Sequence, residues 1–439
     1  MSDDSPPNVL VVLTDQQRWD TVGAYGNPME LTPTVDGMAD EGTLFEQAIS
    51  PQPLCAPARA SIQTGQYATE HGVWKNGIEL PDVDHLLGRQ FADAGYDTGY
   101  VGKWHLATTG TDPIPPEQQA GYDYWRAADL LEFTSHPEEG YVYDGDGERV
   151  DFEGYRVDAT TEHAKAFLER DRDRPFFCFL SYLEPHHQND LEAYVAPEGY
   201  ADRYANPWVP PDLEGVPGDW YESLPDYYGI CRRIDECVGD LLATLEEQGV
   251  REDTVVVFAS DHGSHFRTRN EEYKRSCHES SVRVPLVATG PGFEDGGRVR
   301  ELASLLDLPP TLLDAAGVDP PDPMAGRSLL EAVDGDPDEW RDEVFVQVSE
   351  SALGRALRTD RWTYGVYDPD AEGTERAAGD SYRERYLYDL RADPYQRVNL
   401  AGHDDYADVA ANLRARLADR IAAVEGERPT IEPAAHQHF

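Results

Sequence analysis

The chain has 439 residues, 40% of them hydrophobic and 10% aromatic, which suits one large α/β domain with an appendage or two to three ordinary domains and excludes an intrinsically disordered protein. Its 84 Asp and Glu against 37 Lys and Arg give a formal net charge of −47, with only four Lys among the bases, and a field of that sign excludes nucleic acid and anionic membrane as partners. The carboxylates are spread along the chain rather than gathered in a tail, as on a surface that works in concentrated salt, where counterions screen self-repulsion.

Met1 to Pro7 is short and acidic, without a basic segment leading into an apolar one, and no later apolar run reaches membrane-spanning length, so a cytoplasmic protein is expected. Asn8 to Thr14 (NVLVVLT) then reads as a strand covered on both faces in a parallel sheet. Pro57 suits the first helical position and Gly65 the one after the last, which predicts a short helix beginning just past Cys55. Asp97 to Val101 is a weaker strand candidate, and Pro175 to Leu183 and Thr254 to Ser260 are stronger ones. Glu184 to Leu224 is rich in Pro, Tyr and Trp without periodicity, the pattern of a long excursion over one end of the sheet. Pro225 to Gln248 has helical apolar spacing, with Gly249 as its stop.

From about Val344 the runs become short and alternating (VFVQVS, RWTYGVY, RYLYDL), and a helix near Ala407 to Glu425 closes the chain. The expected fold is α/β: a doubly wound, mostly parallel sheet flanked by helices over residues 1–340, with a smaller C-terminal antiparallel sheet plus helix over 341–439. The five cysteines, Cys55, Cys178, Cys231, Cys237 and Cys277, are scattered, odd in number and without CxxC spacing, so reduced thiols are expected.

Ligands of open α/β sheets bind beyond the carboxyl ends of the strands. The four candidate strands run into Asp15 and Gln16, Lys103 and His105, His186 and His187, and Asp261 and His262. One such residue alone reads as a cap or loop residue; four strand ends together read as a site. Asp15, Gln16, Asp261 and His262 offer oxygens and one imidazole, a set that suits a hard divalent cation, Ca²⁺ ahead of Mg²⁺, better than zinc. Cys55 at a helix start faces unpaired N–H donors that favour an anion, although by itself it reads better as an inert buried thiol.

The pattern C-x-P-x-R-x-x-x-x-T-G at Cys55 to Gly65 resembles the signature of the formylglycine-dependent sulfatases of the alkaline phosphatase superfamily. TDQ (Thr14 to Gln16), GKWH (Gly102 to His105), Pro185-His186, SDHG (Ser260 to Gly263), Lys274 through Pro285, DLPPTLLDAAG (Asp307 to Gly317), MAGRSLL (Met324 to Leu330) and LYDLRADPYQRVNLA (Leu387 to Ala401) follow in the family's order, so the likeness covers nearly the whole chain. The composition makes it a haloarchaeal-like acidic member.

The resemblance implies hydrolysis of a small-molecule or carbohydrate sulfate ester. A formylglycine-generating enzyme would oxidise Cys55 to an aldehyde, whose hydrate attacks sulfur and then expels sulfate by re-forming the carbonyl. It also implies that Asp15, Gln16, Asp261, His262 and the modified Cys55 hold the divalent cation, and that Arg59 and Lys103 fix the nucleophile. Lys274 and His186 bind the sulfate and protonate the leaving alcohol, and His105 takes the proton that collapses the intermediate. Asn76 stands near the substrate in relatives and reads equally as a turn residue beside Gly77. His278, where relatives often have Tyr, either lines the pocket or packs against the sheet.

Gln16 replaces a second Asp, as in the branch with choline sulfatases and phosphonate monoester hydrolases, and Gln188 replaces the Pro of the PHxP form. Two other functions stay open on this scaffold: a phosphate or phosphonate ester hydrolase, and a silent relative that only binds sulfated ligands.

Overall fold

The computed structural model describes residues 6–294, 297–335 and 340–435. Its larger sheet has twelve strands, seven of which frame the site: Asn8–Thr14 (β1), Thr43–Ile49 (β2), Asp97–Lys103 (β3), Tyr124–Ala128 (β4), Phe176–Ser181 (β5), Thr254–Ser260 (β6) and Leu286–Thr289 (β7). They lie in the order β2-β7-β6-β1-β5-β3-β4. From β6 to β4 the neighbours are parallel, whereas β7 is antiparallel to β6 and β2.

Strand alternation divides β1 between two cores. Val9, Val11 and Leu13 face one with Phe177 and Phe179, and Leu10 and Val12 face the other with Cys178 and Leu180. The helix Cys55–Thr64 (α1) covers the first face through Ala56, Ala60 and Ile62. The helix Trp220–Glu247 (α2) covers the second through Leu224, Ile230, Ile234 and Leu241. Burial of each Val or Leu is worth roughly 1.5–3 kcal/mol, so these close-packed strands give the site at their carboxyl ends a firm platform.

Two helix boundaries differ from the sequence expectation. α1 begins at Cys55 itself; Pro57 still lies in the first turn, where its missing N–H has no acceptor to lose. α2 begins five residues before Pro225, which sits inside it. The carbonyl that Pro225 cannot bond is that of Tyr221, at the solvent end of the helix, where Tyr221 is 76% exposed and water is available.

The second sheet comprises Glu343–Val348 (β8), Gly354–Thr359 (β9), Trp362–Tyr367 (β10), Ser381–Asp389 (β11) and Thr430–Glu432 (β12). β8 to β11 are antiparallel, and β12 joins β11 in parallel. The helix Ala407–Glu425 (α3) packs on this sheet with Leu413, Leu417 and Ile421. A buried pair, Arg358 Nε to Glu279 Oε1 at 2.9 Å, ties β9 to the segment that follows Lys274. Among the described residues no helix is long and apolar enough to cross a membrane, and all five cysteines are buried and unpaired.

Candidate active site

The carboxyl ends of β1, β3, β5 and β6 and the start of α1 converge on one cavity of about 130 Å³, lined by Cys55, Asn76, His105, Glu132, His186 and Lys274 among others. A cleft of about 560 Å³ adjoins it, sharing Asn76, His105, Glu132 and Asn189. A larger cleft of about 740 Å³ lies at the opposite end of the strands, around Asn8, Phe176 and Asp253, away from this cluster.

Cys55 is 1% exposed, and its Sγ is the hub. It lies 2.9 Å from Lys274 Nζ, 3.3 Å from His262 Nε2 and 3.5 Å from Asp15 Oδ1. Burial raises the thiol's pKa, but Lys274, Lys103 and His262 outweigh it and hold Cys55 well below the usual thiol range. The atom at this position is therefore favoured as an anion.

Arg59, one turn along α1, reaches Asp15 Oδ2 at 3.1 Å and Asp261 Oδ2 at 3.2 Å, and donates to the Lys103 carbonyl at 3.1 Å. Lys103 Nζ lies 2.9 Å from Asp15 Oδ2. Gly102 holds this lysine in place: its φ is +103°, and a Cβ there would stand 2.0 Å from the Ser181 carbonyl oxygen. Burial raises the pKa of Asp15, and Lys103, His186 and Lys274 overcome it to hold this carboxyl low. Burial and the neighbouring Asp15 charge push Asp261 up.

The donor atoms fit a hard cation. One ligand atom each from Asp15, Cys55, Asp261 and His262 lie within 4.8 Å of one another, all buried. Gln16, in a left-handed conformation (φ 70°), donates from Nε2 to Tyr194 Oη at 2.8 Å, which leaves its buried Oε1 without a partner. Asp261 Oδ2 has only its ion pair with Arg59 at 3.2 Å and no hydrogen bond of good geometry. His262 Nδ1 faces the Gly263 carbonyl at 3.0 Å; a carbonyl only accepts, so Nδ1 carries the proton and Nε2 presents its lone pair to the cluster. An orphaned amide oxygen, buried carboxylates and a pre-set imidazole are what a cation of the Ca²⁺ or Mg²⁺ type takes up.

His105 (φ 60°) lines the cavity with Nδ1 buried and unpartnered. His186 Nδ1 donates to the His187 carbonyl at 2.6 Å, turning Nε2 toward the cavity, and burial and Lys274 hold its pKa below the usual imidazole range. His187 stacks on His186 and lines the cavity beside it, whereas His265 Nε2 lies 3.0 Å from the Lys274 carbonyl and supports that lysine from behind. Asn76 is both the turn residue and a cavity residue; its Oδ1 accepts from the Ala56 N–H at 3.2 Å. His278 is not in this group. It is buried against β11, 3.1 Å from Tyr388 Oη, the packing role of its two sequence readings.

Sequence reasoning missed Glu132, Asn189, Glu272, Tyr273 and Arg275, which also line the cavity. None sits directly after a strongly apolar strand, so the strand-end rule could not select them, although Tyr273 and Arg275 flank Lys274.

The α/β sheet thus gathers a buried, anion-favouring thiol, paired carboxylates and the cations of Arg59, Lys103 and Lys274 beyond its strand ends, and the comparisons place that arrangement among the enzymes of the alkaline phosphatase superfamily. The family model described as Sulfatase matches residues 7–318, and one described as N-sulphoglucosamine sulphohydrolase, C-terminal, matches 272–423. The chain belongs to the sulfatase family. An ulvan-active sulfatase of Formosa agariphila is 32% identical over 442 residues, covering 96% of this chain and 82% of the relative. A solved structure in complex with its substrate D-glucosamine-2-N,6-O-disulfate has a TM-score of 0.80 at 22% identity, covering 97% of this chain and 99% of the other. The phosphonate monoester hydrolase of Agrobacterium radiobacter has a TM-score of 0.74 at 23% identity, covering 96% and 95%. These two share the fold.

Proposed function

We propose that this sulfatase hydrolyses the sulfate ester of a sulfated carbohydrate or small molecule, through a formylglycine made from Cys55 and with a divalent cation held by Asp15, Gln16, residue 55, Asp261 and His262. The observation that carries this reading is the position of Cys55 Sγ, at hydrogen-bonding distance from Lys274, His262 and Asp15 at once. An inert thiol has no use for three polar partners. The relatives' named substrates, ulvan and a glucosamine disulfate, support a carbohydrate.

As the aldehyde hydrate, residue 55 supplies a hydroxyl nucleophile and a second hydroxyl with which to release sulfate. The cation, when bound, supplies Lewis-acid polarisation of a sulfate oxygen. The remaining work belongs to the side chains. Arg59 and Lys103 hold the nucleophile end and balance the charge that develops there. Lys274 anchors the sulfate group and stands ready to protonate the leaving alcohol. His186 is neutral in the free site; an arriving sulfate anion favours its imidazolium, so proton uptake at Nε2 accompanies binding and gives a second donor. His105, with a free ring nitrogen, takes the proton when the covalent intermediate collapses.

The C-terminal unit, which we set at 341–439 after a catalytic unit of 1–340, braces the cavity through Glu350. Its carboxylate accepts from the Asn76 N–H at 2.8 Å and pairs with Arg275 at 2.7 Å. We infer a halophilic, cytoplasmic enzyme from the −47 charge and the five unpaired cysteines.

The test is turnover by the purified protein, matured by a formylglycine-generating enzyme, in concentrated salt with Ca²⁺ or Mg²⁺. Hydrolysis of 4-nitrophenyl sulfate is expected. Turnover of phosphonate esters with none of sulfates would replace this reading by the phosphonate hydrolase one.

A further inference from the structure

The cavity that must hold an anion has a carboxylate in its wall. Glu132 lies on a short helix, Leu131–Thr134, just beyond β4, and is 5% exposed. Its Oε1 is 3.4 Å from Lys103 Nζ, and its Oε2 is buried with no hydrogen-bond partner. It lines both the small cavity, with Cys55 and Lys274, and the adjoining cleft, with Asn76 and Asn189. The group is also fixed in place. Gln188 Nε2 donates to the Glu132 carbonyl at 2.9 Å, and Gln188 is itself held by Arg156 Nη1 at 3.1 Å. Burial acts to neutralise the carboxyl, but Lys103, with His105 and His186, outweighs burial and keeps it ionised.

A fixed negative charge beside an anion site weakens binding of every anion, so it has a use only if it discriminates among them. A sulfate monoester carries one negative charge, whereas a phosphate monoester carries close to two at neutral pH. Repulsion from Glu132 grows with ligand charge, and in a buried site it is little screened by salt. We propose that Glu132 is a specificity-determining residue, one that sets the preference of the cavity for singly charged sulfate monoesters over doubly charged phosphate monoesters. Glu132 lines the cavity beside Cys55 and Lys274, so its charge acts at close range on whatever anion binds there. The inference rests on the sulfatase reading above and deepens it.

The experiment compares kcat/KM for 4-nitrophenyl sulfate and 4-nitrophenyl phosphate at pH 8 in the matured, cation-loaded wild type, Glu132→Gln and Glu132→Asp. The phosphate-to-sulfate ratio is expected to rise about tenfold or more in Glu132→Gln, the effect of removing one nearby charge, and to stay within about threefold of wild type in Glu132→Asp. Inhibition by inorganic phosphate and by inorganic sulfate, both dianions at pH 8, should strengthen together in Glu132→Gln, and Glu132→Ser serves as a second neutral variant if glutamine disturbs the packing. A merely structural residue would lower both activities together. A ratio within about threefold of wild type in both neutral variants, or an equal shift in Glu132→Asp, overturns the inference while wild-type sulfate turnover leaves the reading beneath it intact. Failure of the wild type to hydrolyse any sulfate ester overturns both.

Discussion

Cys55→Ala is expected to lower sulfate-ester hydrolysis by at least about 10⁴-fold, the scale on which enzymes lose activity with their nucleophile. The fold should survive. Alanine is smaller than cysteine at a helix start, and α1 keeps Pro57, its left-handed Gly65 and the Ala56, Ala60 and Ile62 contacts. The melting temperature is therefore expected to stay within a few degrees of wild type while activity disappears, and circular dichroism with a 4-nitrophenyl sulfate assay reads both. Retention of a tenth of the activity would remove residue 55 from the chemistry.

Chelation should have an effect of similar size. Asp15 and Asp261 share one buried cluster with His262, and Gln16 Oε1 has no protein hydrogen bond to fall back on. EDTA is expected to reduce turnover at least about 10³-fold, and excess Ca²⁺ or Mg²⁺ to restore it. Stability gives an independent readout. In the chelated protein the pKa of Asp261 is raised, chiefly by burial and then by Asp15, so the folded state keeps a proton that the unfolded chain releases. Stability is then present at low pH and lost as pH rises from the ordinary carboxylate value through the raised one. Asp15, held low, acts only below the ordinary value, where stability falls as pH falls. The gap in melting temperature between loaded and chelated protein should thus widen as pH rises above about 4. A gap that does not change with pH would contradict the carboxylate cluster as the cation's seat.

Much of the platform could be read from the residues. NVLVVLT and TVVVFAS have few choices but a parallel strand covered on both faces, and they pair directly, Asn8 with Thr254 through Thr14 with Ser260. The polar residues that end such strands emerge at one edge because the strands are parallel, which is why Asp15, Lys103 and Asp261 meet although they are far apart in sequence. The alternating runs after Val344 became β8, β10 and β11. Between them, Gly354–Thr359 (GRALRT) escaped notice because Arg355 and Arg358 break its apolar pattern, although Arg355 pairs with Glu425 and Arg358 with Glu279 inside the protein. A buried arginine looks like a surface residue until its partner is known.

The start of α2 was misplaced for a similar reason. Proline reads as a boundary, and only exposure of the carbonyl it leaves unbonded makes it tolerable inside a helix. Glu132 was out of reach for a different reason. It is one of 84 acids, and what distinguishes it, burial in the wall of a small cavity with Cys55 and Lys274, is a property of the folded chain alone. The two lysines of the site were easier to find, since Lys103 and Lys274 are two of only four lysines in the chain.

Whether the thiol of Cys55 is replaced decides the account, because a thiol cannot carry out the two-hydroxyl chemistry assigned to that position. The most direct measurement is mass spectrometry of the intact peptide spanning Cys55 from catalytically active protein. The aldehyde mass, with activity rising in proportion to the converted fraction across preparations, is the predicted result. Full sulfate-ester turnover from protein whose residue 55 carries only the unmodified thiol mass would contradict it.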